Sequence, residues 1–185
     1  IDYSFFIPEH GADRMGRLNT KNGMIYQLAQ WYPRMCVYDD VEGWNTLPYM
    51  GEGEFYCEYG DYDYSITLPA DMIVAGSGDL QNPQQVLTAT QIKRLAAATK
   101  SDSTVSIISA HEVGKPGSRP QQNGMLTWRF KMHNTRDVSW AASRSFIWDA
   151  ARIKLSLGKS EGLAMAVYPA ESVGKNKYNR AAQYL

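Results

Sequence analysis

Three histidines, His10, His111 and His133, could serve metal chemistry, but their spacing keeps them apart. A hydrolytic zinc helix needs two imidazoles one turn apart, with a glutamate between them as base. His111-Glu112 supplies only the first half of that pattern: Lys115 stands four residues on, and Gly114 and Pro116 interrupt any helix. The dipeptide reads as the polar end of a strand. Ser77, in Gly76-Ser77-Gly78, lacks the spacing of a nucleophile elbow, and Gly51, Gly53 and Gly158 are too isolated to cradle phosphate. Carboxylates recur in pairs, at Asp39-Asp40, Glu52 with Glu54 and Asp61 with Asp63. A glycosidase would hold two of them about 5 to 9 Å apart across a cleft, whereas strand alternation turns such pairs toward water. Asp61-x-Asp63 alone offers too few oxygens for calcium. The sequence therefore assigns no catalytic residue, metal ligand or cofactor to this chain.

Two residues invite a role in binding. Arg34 lies in the apolar stretch Pro33-Arg34-Met35-Cys36-Val37-Tyr38, where a guanidinium needs a partner; Asp39 and Asp40 are the nearest carboxylates. A structural ion pair is the expected outcome. Gln30 stays open on chemistry alone, since a neutral amide either accepts a hydrogen bond from an ammonium group or holds a loop.

The elements that must position these groups are mostly strands. Tyr62, Tyr64, Ile66 and Leu68 alternate with Asp61, Asp63, Ser65 and Thr67, a period of two that puts one set on a sheet face. Phe55, Cys57 and Tyr59 alternate over 54–59, and Gly60-Asp61 between the two runs predicts a hairpin. Further strands are expected at 72–75, 105–110, 126–132, 145–149, 152–157 and 163–168. A short helix is predicted near 90–98, capped by Thr88 or Thr90, and another begins within 176–185. Patternless stretches are 8–22, 39–53 and 114–124. Loops this long usually bind something or move, and Trp44, Tyr49 and Met50 suggest that 39–53 packs on a body or faces a partner. The fold class is all-β: an antiparallel β-sandwich or saddle-like sheet domain with one short helix.

A length of 185 residues suits one domain with a real core. Nineteen basic residues balance nineteen acidic ones, so no overall field draws the chain to nucleic acid or an anionic membrane. No apolar run is long enough for a transmembrane helix. Cys36 and Cys57 permit one bridge or two packed thiols, the latter suiting Cys57 in its alternating run. A chain opening with Ile1 reads as excised from something longer.

Gln30-Trp31-Tyr32-Pro33-Arg34 through Asp39-Asp40, then Gly43-Trp44, Gly53-Glu54-Phe55-Tyr56, Thr67-Leu68-Pro69-Ala70 and Gly78-Asp79-Leu80-Gln81-Asn82-Pro83, resemble the N-terminal domain of the M1 family of zinc metallopeptidases, in a large bacterial, Bacteroidetes-like branch. Trp128-Arg129-Phe130-Lys131-Met132 and Val138-Ser139-Trp140-Ala141-Ala142-Ser143 resemble the end of that domain, and Tyr168-Pro169-Ala170-Glu171 and Tyr178-Asn179-Arg180-Ala181 the crossing beyond it. The similarity spans most of the chain in consistent order.

The resemblance implies residues 1–170 as an aminopeptidase-type β-domain, incomplete at its N-terminus, and 171–185 as the start of a linker or helix toward an absent catalytic domain. It implies a non-catalytic roof over the active site, with zinc held by the missing domain of the same polypeptide. Gln30, with Gln27 as the alternate, would bind the amino end of a peptide substrate. Trp31, Tyr32 and Trp44 either line that roof or belong to the core. The family resemblance also favours a periplasmic or exported protein. Without it, the residues also suit a carbohydrate- or protein-binding β-sandwich with no enzymatic role, in which Trp31, Trp44 and Trp140 would share an open groove.

Overall fold

The computed structural model describes residues 1–10, 14–48, 51, 55–121, 123–155 and 161–174. Strands β1 (Met15–Thr20) and β2 (Gly23–Leu28) form a hairpin. Its turn follows from Asn22-Gly23: Gly23 takes φ +126°, and the Thr20 hydroxyl donates to the Gly23 carbonyl at 2.7 Å. The first strand of this hairpin lies inside the stretch 8–22 expected to lack structure, and the Asn22-Gly23 pair is the signal that reveals it.

Next comes a small hairpin of β3 (Tyr38–Asp39) and β4 (Gly43–Trp44), and then the long strand β5 (Gly60–Pro69). Strands β6 (Ile73–Gly76) and β7 (Asp79–Leu80) lead into α1 (Pro83–Val86) and α2 (Ala89–Ala98). The remainder is β8 (Val105–Ile108), β9 (Met125–Thr135), β10 (Trp140–Ser143), β11 (Phe146–Lys154) and β12 (Glu161–Pro169). The strands form four antiparallel sheets, ordered β1-β2-β10-β6, β5-β9-β7, β12-β11-β8 and β3-β4. The expected all-β, sandwich-like class is what the chain adopts, with α2 where the helix was predicted.

One hydrophobic core joins the three larger sheets. Ile66 and Leu68 of β5 alternate with exposed neighbours as predicted, and they meet Trp128 and Phe130 of β9, Ile73 and Val74 of β6 and Trp148 of β11. Trp128 is fully buried, so truncating it to Ala would cost about 3–5 kcal/mol. Helix α2 begins with a reciprocal cap: Gln91 N donates to Thr88 Oγ1, and Thr88 N donates to the Gln91 side chain. Thr88, not Thr90, is the cap.

The predicted hairpin of 54–59 with 62–68 does not form. The partner of β5 is β9, with Thr67 and Thr127 facing across 60 residues of sequence, and 55–59 is irregular. Gly60-Asp61 therefore opens a strand instead of turning one. Likewise the strands expected at 145–149 and 152–157 merge into one, β11, which runs from Phe146 to Lys154. Residues 156–157 and the helix expected at 176–185 lie outside the described residues.

The stretch 114–124 is anchored by a buried arginine. Arg119 donates to the carbonyls of Ala70 (3.1 Å) and Val86 (2.9 Å), and its guanidinium lies 5.4 Å from the Trp128 ring centroid. Burial pushes its pKa down to about 10.

Candidate functional site

The site grows from the irregular segment that leaves β2. Gln30 adopts φ +55°, a left-handed conformation that costs a non-glycine residue about 1–3 kcal/mol. After this bend, Trp31 packs inward, with ring centroids 6.4 Å from both Tyr64 and Trp140. Tyr32 meets Tyr62 edge-on at 5.9 Å.

Arg34 sets the depth of the site. Its Nη2 donates to Asp137 Oδ2 at 2.9 Å, and its Nη1 donates to Cys57 Sγ at 3.0 Å and to the Arg136 carbonyl at 3.2 Å. Its Cζ lies 5.5 Å from the Tyr32 ring centroid and 5.8 Å from that of Phe55. The same Asp137 carboxylate accepts Tyr32 Oη at 2.7 Å and the Val138 N–H. Burial first, then hydrogen bonds with Tyr62 and Asp137, raises the Tyr32 pKa well above the usual tyrosine range, so this phenol stays a neutral donor.

Above these groups opens a cleft of about 790 Å³. Gln30, Tyr32, Arg34 and Tyr62 line it, residues 55–59 form one wall, and Asn45, Leu47 and Pro48 contribute to another. Phe55, Tyr56 and Tyr59 are all exposed there, at 45%, 59% and 57%, which leaves aromatic surface open to a ligand. Arg136 completes the lining, its Cζ 4.7 Å from the Tyr59 ring centroid. At the edge, Asp61 accepts Asn134 N–H and lies 3.1 Å from His133; the backbone hydrogen bond leads in holding its carboxyl below the usual range.

The predicted residues divide between this cleft and its surroundings. Gln30, Tyr32 and Arg34 come together in its lining, whereas Gln27 sits mid-strand in β2 between Gly16 and Ala141. Trp31 stands behind the cleft against the core.

Asp39 and Asp40 are not partners of Arg34. Asp39 instead caps its own hairpin, accepting from Val41 N, Glu42 N and Asn45 Nδ2, and this pattern lowers its pKa. The sequence-nearest carboxylate is spent locally, and the ion pair goes to Asp137. Asp40 is exposed. Trp44 is 56% exposed and lies on Tyr38, 5.1 Å between centroids, so Trp31, Trp44 and Trp140 do not share one groove. Tyr49, Met50, Glu52, Gly53 and Glu54 lie outside the described residues.

Arg136, Asp137 and Tyr59 escaped sequence reasoning. Arg136-Asp137 reads as ordinary surface just before Trp140, and only the pairing of β5 with β9 brings it over the cleft. Both cysteines are free and both line the cleft; Cys36 is exposed, contrary to its expected packing, and Cys57 contacts Arg34 from an irregular segment. Among the described residues no three His, Cys, Asp or Glu side chains converge as a metal site would require. No family model, no curated protein and no solved structure matches the chain.

Proposed function

We propose that this chain is the non-catalytic N-terminal β-domain of a zinc-dependent aminopeptidase of the M1 type, and that its cleft receives the amino end of a peptide substrate. The ordered motifs from Gln30 to Asn82 and from Trp128 to Ser143 support the family reading. The observation that carries the binding role is Gln30 itself: a residue in a strained left-handed conformation, in the lining of an open aromatic cleft. Its amide oxygen can accept from a substrate ammonium without a buried counter-charge. Tyr32 and Arg34 are held by Asp137 and support the lining. In this reading a zinc ion held by the catalytic domain of the same polypeptide would supply the Lewis-acid chemistry, and this chain orients what enters.

Replacing Gln30 with Ala in the whole enzyme tests the assignment on aminoacyl anilides. The expected result is a KM raised about tenfold, one charge-assisted hydrogen bond, with a smaller effect on kcat. Hydrolysis by residues 1–185 alone, or an unchanged KM in the variant, contradicts it. The second reading, a carbohydrate- or protein-binding module without enzymatic role, draws on the exposed Phe55, Tyr56 and Tyr59; it predicts binding that ignores whether a peptide's amine is free.

A further inference from the structure

Arg136 is an exposed cation in the lining of the cleft. Its carbonyl accepts Tyr62 Oη at 3.1 Å and Arg34 Nη1 at 3.2 Å, which fixes the backbone. Its guanidinium rests on the Tyr59 ring at 4.7 Å, which limits the side chain without using its donors.

Two of the other charges that line the cleft, Arg34 and Asp61, are already engaged. Arg34 is taken by Asp137 (2.9 Å), and Asp61 by His133 (3.1 Å) and Asn134 N–H. No carboxylate lies within 4.0 Å of the Arg136 guanidinium among the described residues, although Glu58 lines the same cleft, itself without an ion pair. Among the described residues, the lining thus presents one uncompensated cation, Arg136, one uncompensated carboxylate, Glu58, and aromatic faces. That combination complements a short zwitterion with an apolar middle, and a planar guanidinium pairs with a carboxylate through two parallel N–H donors.

We propose that Arg136 is a specificity residue that binds a carboxylate of the peptide in this cleft. The proposal rests on the peptide-binding reading above and adds an anionic subsite to it. A volume of about 790 Å³ accommodates a short peptide and not a protein surface. Because Arg34 and Tyr62 hold the main-chain carbonyl of Arg136, changing its side chain leaves both of those bonds in place.

The test is calorimetric titration of the chain with Ala-Phe-Ala, its C-terminal amide, its N-acetyl form and Ala-Phe-Glu amide. Wild type should bind Ala-Phe-Ala about fivefold to tenfold tighter than the amide, and Arg136→Gln should erase that difference with an unchanged melting curve. Ala-Phe-Glu amide binding as tightly as Ala-Phe-Ala supports the subsite and shows that it takes a side-chain carboxylate as well as a terminal one; weak binding of that peptide restricts it to the terminal carboxylate. Equal binding of acid and amide, or a difference that survives in Arg136→Gln, overturns the proposal. Loss on acetylation without loss on amidation leaves the amino-end reading standing and removes the subsite. Loss on amidation alone does the reverse, and absence of all binding removes both.

Discussion

Arg34 Nη2 donates to Asp137 Oδ2 across 2.9 Å although 103 residues separate them. This pair ties the segment leaving β2 to the corner between β9 and β10, and so fixes the lining of the cleft. Both side chains are largely shielded, at 20% and 33% exposure. In a double-mutant cycle of Arg34→Met and Asp137→Ala, followed by urea unfolding, the coupling should reach about 1–3 kcal/mol. A coupling within experimental error would show that the two segments are held by aromatic packing alone.

Gln30 separates strain from function. Glycine accepts φ +55° freely, so Gln30→Gly should leave stability within about 1 kcal/mol of wild type while weakening peptide binding. A large loss of stability, read from the unfolding midpoint, would instead make Gln30 a structural residue.

Gly78 makes the opposite case. It takes φ +90°, and an added Cβ would collide with the Lys131 carbonyl and main chain of β9. Gly78→Ala should cost about 2 kcal/mol or more and lower the melting temperature, with loss of the β7–β9 pairing. A melting temperature equal to wild type would mean that the β7 turn is not fixed against β9.

Much of the β-sheet was legible because alternation is local: Tyr62 to Leu68 displays its two faces within seven residues. The helix cap was legible as Thr88 or Thr90; the reciprocal bond with Gln91, three residues on, selects Thr88. What was not legible is pairing at long range. The 55–59 run has the right alternation for a strand, but β5 pairs with β9, far along the chain, and nothing local announces that choice. The partner of Arg34 was missed for the same reason: Asp39 is closer in sequence, yet its oxygens are filled by its own turn. Gln30, Tyr32 and Arg34, singled out in the sequence, line the cleft, while the places of Tyr59, Arg136 and Asp137 around it follow from the topology.

Glu112 gives the fold a pH dependence. The Arg94 guanidinium at 2.7 Å, aided by hydrogen bonds from Ser109, holds its carboxyl at about 2, against an ordinary value of about 4.3. A depressed folded-state pKa contributes stability that is fully present above the unfolded value and is lost as pH falls through about 2. Solvent screens this half-exposed pair, so Glu112→Gln should cost no more than about 1 kcal/mol at pH 7. The gap to wild type should close as pH falls from about 4.3 toward 2, as read by urea unfolding. A gap that stays constant with pH would deny the ion pair its role.

The central proposal is that the cleft lined by Gln30 takes the free amino end of a peptide. Backbone amide shift mapping of the isotope-labelled chain, titrated with Ala-Phe-Ala and with its N-acetyl form, addresses it most directly. The account predicts saturable shifts clustered at Gln30, Tyr32, Tyr59 and Arg136 with the free amine, and at least tenfold weaker binding after acetylation. Shifts located elsewhere, or equal responses to both peptides, would contradict it.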